Sequence, residues 1–327
     1  MTTMTYREAI VRAQHEGLAR YPEAMIMGED IGVAGGPFKT TDGLFEAFGA
    51  DRVRDTPISE NAFVGAALGM AVTGGGRPII EIMFADFMGV CFDQIVNGIA
   101  KHRFMCGGKV KLPLVIRAMG GGGVRFGAQH SQTGESWMYQ HPGLKVYCPA
   151  TAQDAYELLS AAIDDDDPVI VLEHKALMAT KGEVPDSISV PDVGIGPKIE
   201  REGTDVTIVA SLAMVRRSLA AADKLADQGI SAEVINLRVI RPLVMQPIVE
   251  SLAKTGNLIT VEESHPVGGW SGDVTAQAIR GAFDYVDQPP MSLTLPDWPM
   301  PYSPGLEDAA LPSVDKIVAA VRRMRLA

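Results

Sequence analysis

The sequence predicts an α/β protein of two domains, each a mostly parallel sheet flanked by helices. Short apolar runs at 24–27, 78–84, 112–117 and 168–173 alternate with stretches of helical period. Such alternation buries a parallel sheet between layers of helices. The length of 327 residues suits about two domains. Around 181–197 the composition shifts to Pro, Gly and Asp, which marks a connection. The domains are therefore drawn at 1–185 and 201–327, with 186–200 as linker.

Along the chain, residues 6–20 place Ala9, Ile10, Ala13 and Leu18 on roughly one helical face. Residues 24–27 form a short strand closed by Gly28-Glu-Asp30, and the glycine-rich stretch 31–41 reads as a loop. A short helix is expected at 43–48, a strand at 53–56, a buried strand at 78–84 and a helix over 87–102. Strands at 112–117, 144–147 and 168–173 enclose a flexible stretch from Gly120 to Gln132 and a helix begun near Thr151. The second half repeats the alternation, with strands at 205–211, 232–237 and 258–262. Helices are expected there at 214–228, 270–283 and 314–324.

Composition narrows the function. The apolar share of 46% and charged share of 21% are globular values. A net charge of −11 without a basic cluster excludes a nucleic-acid footprint. No run of about 18 apolar residues exists to span a membrane, and the N-terminus lacks the apolar core of a signal peptide. Three cysteines (Cys91, Cys106, Cys148) without Cys-x-x-Cys read as buried free thiols in a reducing cytoplasm.

The stretch around which the chain is organised is Asp55-Thr-Pro-Ile-Ser-Glu60, continued by Ala62, Phe63, Ala66, Ala67 and Met70. Pro57 biases Thr56 away from helix, and Ser59 can cap a helix that starts at Glu60. Glu60 then stands on the first turn of a helix packed closely against something, at a strand-to-helix edge where α/β folds place ligands. By spacing alone it can equally be an acid that complements the helix dipole.

Gly120 to Gly123 lacks both the dinucleotide fingerprint and the phosphate loop, so a loop that moves over a ligand is the better reading. Gln129-His-Ser-Gln132 comes next, polar and loop-borne, with a histidine able to bind an anion or carry protons. The other five histidines read as structural. The acidic run 164–167 opposes the dipole of the helix it ends; a bound cation or a basic partner surface would relieve it.

Several motifs occur in order: Gly28-Glu-Asp30, the Glu60 stretch, Arg77-Pro78, Phe92-Asp-Gln-Ile95, Ala128-Gln-His-Ser-Gln132, Pro142-Gly-Leu-Lys-Val146, Asp167-Pro-Val-Ile170, Ile240-Arg-Pro-Leu243 and Pro299-Met-Pro301. Together they resemble, over nearly the whole chain, the beta subunits of thiamine-diphosphate-dependent dehydrogenases that feed lipoyl-bearing complexes. Asp86 to Asp93, Met105 to Gly108, Val115 to Met119 and Val169 to Lys175 look most like the acetoin dehydrogenase branch; the pyruvate and branched-chain 2-oxoacid enzymes are similar. Gly74 to Gly76 and Arg125-Phe-Gly127 depart from the family's pattern.

The resemblance implies a transketolase-like pyrimidine-binding domain and, after it, a transketolase C-terminal-like domain. Glu60 would hydrogen-bond the pyrimidine of thiamine diphosphate and promote its imino form. Ile58, Met83 and Phe87 would line or stack on that ring, and His130 would face the substrate and the incoming lipoyl group. Carbonyls of Leu114, Ala162, Ile163 and Asp165, with Asp167, match a structural monovalent-cation site in relatives, with K+ the candidate ion. Gly-Asp-Gly, the usual start of the magnesium and diphosphate site, is missing from the sequence. An alpha subunit would therefore hold Mg2+ and the diphosphate in an α2β2 assembly. The second domain would serve subunit contacts and a lipoyl acyltransferase core. Two other classes compete with this reading: a non-catalytic assembly subunit and a nicotinamide dehydrogenase.

Overall fold

The computed structural model describes residues 1–326, apart from the side chains of Asp192 and Leu326; Ala327, the end of the range drawn for the second domain, lies outside the described residues. The first sheet has seven strands in the order Val239–Arg241, Lys145–Tyr147, Val169–His174, Val115–Gly120, Arg77–Ile82, Ala24–Gly28, Val53–Asp55. All of its pairings are parallel except that of Val239–Arg241, which runs antiparallel to Lys145–Tyr147. The second sheet runs Met291–Leu293, Leu258–Val261, Val206–Ala210, Ala232–Asn236, Lys198–Arg201, with only the last antiparallel.

Alternation along each strand explains the layers, because successive side chains point to opposite faces. Ile79, Val115 and Val169 join the core beneath the helices Tyr6–Arg20 and Ala152–Asp164. Their neighbours Ile80, Ile116 and Ile170 join the core on the other face, with Val64 and Ala67 of the helix Glu60–Val72. The helices Tyr6–Arg20 and Ala152–Asp164 both start on capping boxes, Thr5 with Glu8 and Thr151 with Asp154.

Four expectations need correction. The single helix over 87–102 is broken: a 3-10 turn at Ala85–Gly89, a π-helical stretch at Gln94–Ile99, then an α-helix at Ala100–Met105. A Cβ on Gly98 would stand 2.9 Å from Leu68 Cδ2 of the helix Glu60–Val72, so the irregular segment is packed against that side chain. The linker drawn at 186–200 overlaps the strand Lys198–Arg201, which edges the second sheet, and just before it Lys181–Val184 pairs with Thr2–Thr5. Val239–Arg241 belongs to the first sheet although it lies within the second domain's sequence. The helices Glu135–Tyr139, Gln246–Thr255 and Pro304–Ala310 have no counterpart among the expected elements. No described helix is long and apolar enough to cross a membrane.

Candidate active site

The parallel strands of the first sheet deliver the predicted residues to one edge, their C-terminal ends. Glu29 comes after Ala24–Gly28, Glu60 after Val53–Asp55, and Met83 and Phe87 after Arg77–Ile82. The loop bearing His130 leaves Val115–Gly120, and Lys175 leaves Val169–His174. This is the edge where ligands bind in open α/β sheets.

Glu60 is the first residue of its helix and only 6% exposed. Ser59 occupies the N-cap position, but its side chain makes no capping bond; its carbonyl instead accepts from the N–H groups of Ala62 and Phe63 at 2.9 and 3.2 Å. Thr56 N–H donates to Gly28 C=O at 2.8 Å, which extends the sheet pairing to the turn before Glu60. Of the run expected to be buried, Phe63 and Ala67 are, Met70 is half-buried, and Ala62 and Ala66 are exposed, as is Gly69 beside them. Ile58 is 86% exposed.

Two groups near Glu60 are shifted. The Glu29 carboxyl is raised, first by its own burial and then by Glu60, and its Oε1 is buried with no partner in the chain. The Cys91 thiol is pushed up to about 12 by burial and then by Glu60. Cys91 Sγ in turn donates to Phe87 C=O at 3.7 Å. The thiol thus sits on the Phe87 backbone within the electrostatic reach of Glu60.

Phe87 lies edge-on to His130 with ring centroids 5.4 Å apart, and Phe84 does the same at 4.6 Å. Phe84 also meets Phe38 and Phe126 at 5.7 Å each. His130 is half-buried in this aromatic nest, and Met83, directly before Phe84, is half-buried too. The predicted residues thus form two clusters, one around Glu60 and one around His130, joined through Phe87 and Cys91.

Residues 2–181 match the transketolase pyrimidine-binding domain and 197–317 the transketolase C-terminal domain. The chain is 45% identical to the acetoin:2,6-dichlorophenolindophenol oxidoreductase subunit beta of Cupriavidus necator, over 98% of this chain and 97% of that protein. It belongs to the beta subunits of the transketolase-like, thiamine-diphosphate-dependent dehydrogenases. It is also 44% identical to a mitochondrial pyruvate dehydrogenase E1 subunit beta of Oryza sativa subsp. japonica, over 98% of this chain and 86% of that one. A solved structure titled as a split-gene transketolase, an inactive beta4 tetramer, superposes with a TM-score of 0.76 at 25% identity, covering 98% of both chains.

In this beta subunit the acidic run is relieved from within the chain, rather than only by the cation or partner surface that its sequence suggests. Arg77 Nη1 donates to the carbonyls of Ile163 and Asp165 at 2.7 and 2.9 Å. Lys145 bonds the Asp165 carboxylate at 2.6 Å, Lys111 pairs with Asp166 at 2.7 Å, and Arg103 pairs with Asp167. Lys111 first, with Arg77 behind it, holds the Asp166 carboxyl below its usual range against the pull of burial. The carbonyl of Leu114 accepts from Val169 N–H at 3.0 Å and that of Ala162 from Asp165 N–H at 3.4 Å. Each of the four carbonyls therefore already accepts a hydrogen bond within the chain.

Three further residues at this edge are not evident from the sequence. Glu29 reads there as a strand end and part of a family motif, with no role at the site. Lys175 and His174, both buried, lie inside what reads as strand and family motif. The one available signal is their position: each stands directly after a strand that ends at the ligand edge, or closes it.

Proposed function

We propose that this beta subunit, with an alpha partner, cleaves acetoin by thiamine-diphosphate chemistry and passes the two-carbon group to the lipoamide of an acyltransferase. The observation that carries the reading is Glu60: a carboxyl at a helix start, 6% exposed, beside an isoleucine that is 86% exposed. A buried acid next to open apolar surface is half a site, and the exposed Ala62, Ala66 and Gly69 give a second chain a face to pack on closely. The residues fit the coenzyme's pyrimidine end. Glu60 is placed to exchange a proton with a ring nitrogen, Glu29 has an unpartnered buried oxygen beside it, and Ile58, Met83 and Phe87 supply apolar contacts. The coenzyme, when bound, supplies the electron sink. His130, held edge-on by Phe84 and Phe87, orients the reacting group and passes protons. The alpha subunit supplies the diphosphate and Mg2+ site in an α2β2 assembly.

A pyruvate or branched-chain 2-oxoacid substrate is the second reading, favoured by the pyruvate dehydrogenase subunits of similar identity. A structural monovalent cation is part of the proposal, held by the carbonyls of Leu114, Ala162, Ile163 and Asp165 with Asp167. It predicts a higher melting temperature in potassium chloride than in choline chloride.

The test is the co-expressed pair, assayed with an artificial electron acceptor against acetoin, pyruvate and a branched-chain 2-oxoacid. Glu60→Gln should abolish turnover while the two chains still co-purify. Unchanged turnover in that variant would leave an assembly subunit as the better account.

A further inference from the structure

The loop that carries His130 contains five glycines between 120 and 127 and reads as mobile, yet its polar groups are engaged on three sides. From the second domain, Glu263 Oε2 accepts from Gly122 N–H at 2.9 Å and Glu307 Oε1 accepts from Gly123 N–H at 2.6 Å. Glu307 Oε2 takes both the backbone N–H and the guanidinium of Arg125, at 3.1 and 2.7 Å. Beneath the loop, Asp86 Oδ1 accepts from the Gln132 amide side chain at 2.8 Å. From the sheet, Lys175 Nζ donates to the backbone carbonyl of His130 itself at 2.6 Å.

Lys175 is the unusual member. Its side chain is buried, and no ion pair among the described residues includes it. Its ammonium lies 5.5 Å from the centre of the Phe84 ring and 5.7 Å from that of Phe126, the rings that enclose His130. An ammonium without a paired carboxylate weakens a fold, and an apolar side chain of similar length would pack better there. What the charge does gain is a charge-assisted bond to the one carbonyl that fixes His130.

We propose that Lys175 is a positioning residue. As an ammonium it clamps the His130 end of the loop to the sheet while the second-domain carboxylates Glu263 and Glu307 hold the glycine end of the same loop, so that the second domain helps to build the active site. This rests on the reading that His130 serves the reaction. Gly121 shows how little slack the arrangement has: with φ at +85°, a Cβ there would stand 1.9 Å from His174 Nε2, and His174 Nε2 is itself 3.1 Å from Glu263 Oε2.

The clamp has a pH signature. Burial lowers Lys175 to about 8, while Asp86, Glu263 and Glu307 pull the other way; its ammonium bonds the backbone carbonyl of His130, and His174 is its neighbour in the chain. Below that value the ammonium holds the loop; above it the bond loses its charge assistance.

The test is the complex of this chain with its alpha partner, assayed from about pH 6 to about pH 10 in wild type, Lys175→Met and Lys175→Arg. Wild-type kcat should fall above about pH 8, following the ammonium. Lys175→Met should lose about tenfold or more in kcat with the KM for thiamine diphosphate changed by less than about threefold, as misplacement of a reacting group predicts. Lys175→Arg should recover most of that loss and move the alkaline limb up by at least about one pH unit, because a guanidinium stays charged. Wild-type kcat and an unmoved alkaline limb in Lys175→Met would overturn the clamp.

His130→Ala separates the two readings. If it keeps full turnover, the role of His130 fails; if it is inactive while Lys175→Met is normal, only the clamp fails. Should Lys175→Met not fold, Glu307→Gln decides: the expected result is a kcat-specific loss with faster hydrogen exchange of the amides from Gly122 to Gln132. Unchanged kcat and exchange in that variant would overturn the proposal.

Discussion

Glu60 is a buried carboxyl on the first turn of its helix, 6% exposed and beside the open surface at Ile58. Replacing it by an amide of the same shape removes an acid–base group from that position, so Glu60→Gln should lower kcat by about a hundredfold to ten-thousandfold, the range of general acid–base contributions, and steady-state assay of the co-expressed complex checks it. The thiols around the site give a second residue-scale prediction. Cys91, pushed up to about 12, and Cys148, raised well above its usual value by burial, are both buried, whereas Cys106 is half-buried. Iodoacetamide on the native chain near pH 8 should label Cys106 first, and peptide mass mapping would read the order.

At the scale of elements, the first sheet is pinned by a charge cluster that periodicity could not reveal. Arg117 is directly opposite Glu81 in the parallel register, and Glu173 lies on the strand at its other side. The guanidinium bonds Glu81 at 2.7 Å, Glu173 at 2.7 and 2.8 Å and Gln14 of the helix Tyr6–Arg20 at 3.0 Å, all buried. Burial alone would lower Arg117; the two carboxylates outweigh it and raise it. Arg117→Met should therefore cost about 3–5 kcal/mol, because two buried carboxylates lose their partner, and urea unfolding would measure it. In the sequence these residues sit 36 and 56 positions apart, each inside an apolar run, so each run was legible as a strand while the cluster was not. The same holds for the His130 loop. Its residues stand out as a polar, glycine-rich motif, but Glu263 and Glu307 lie 141 and 184 residues from the glycines they hold. By contrast the helix Tyr6–Arg20 was legible because its core face recurs locally. The stretch 87–102 misleads because helical period alone does not distinguish an α-helix from the π-helical turn at Gln94–Ile99.

At the scale of the molecule, the two domains meet across a buried acid. Glu135, on a short helix of the first domain, accepts from Ser211 Oγ at 2.6 Å and from Trp270 Nε1 at 3.3 Å, both in the second. Its other oxygen, Oε2, is buried with no partner. Burial first, and then the nearby Glu262, raise the Glu135 carboxyl to about 7. The folded chain thus keeps a proton on Glu135 that the unfolded chain releases near the ordinary value of 4.5. Stability from this group is fully present below that value and is lost as pH rises toward about 7, where folding forces a charge into the interface. The difference amounts to about 3 kcal/mol. Glu135→Gln keeps the acceptor that Ser211 and Trp270 use and removes the titration. Its urea midpoint should match wild type near pH 4.5, exceed it increasingly up to about pH 7, and stay above it by a constant margin beyond. If the wild-type and variant curves run parallel across that window, Glu135 carries its charge in the folded protein at no penalty, and the interface is wetter than its burial indicates.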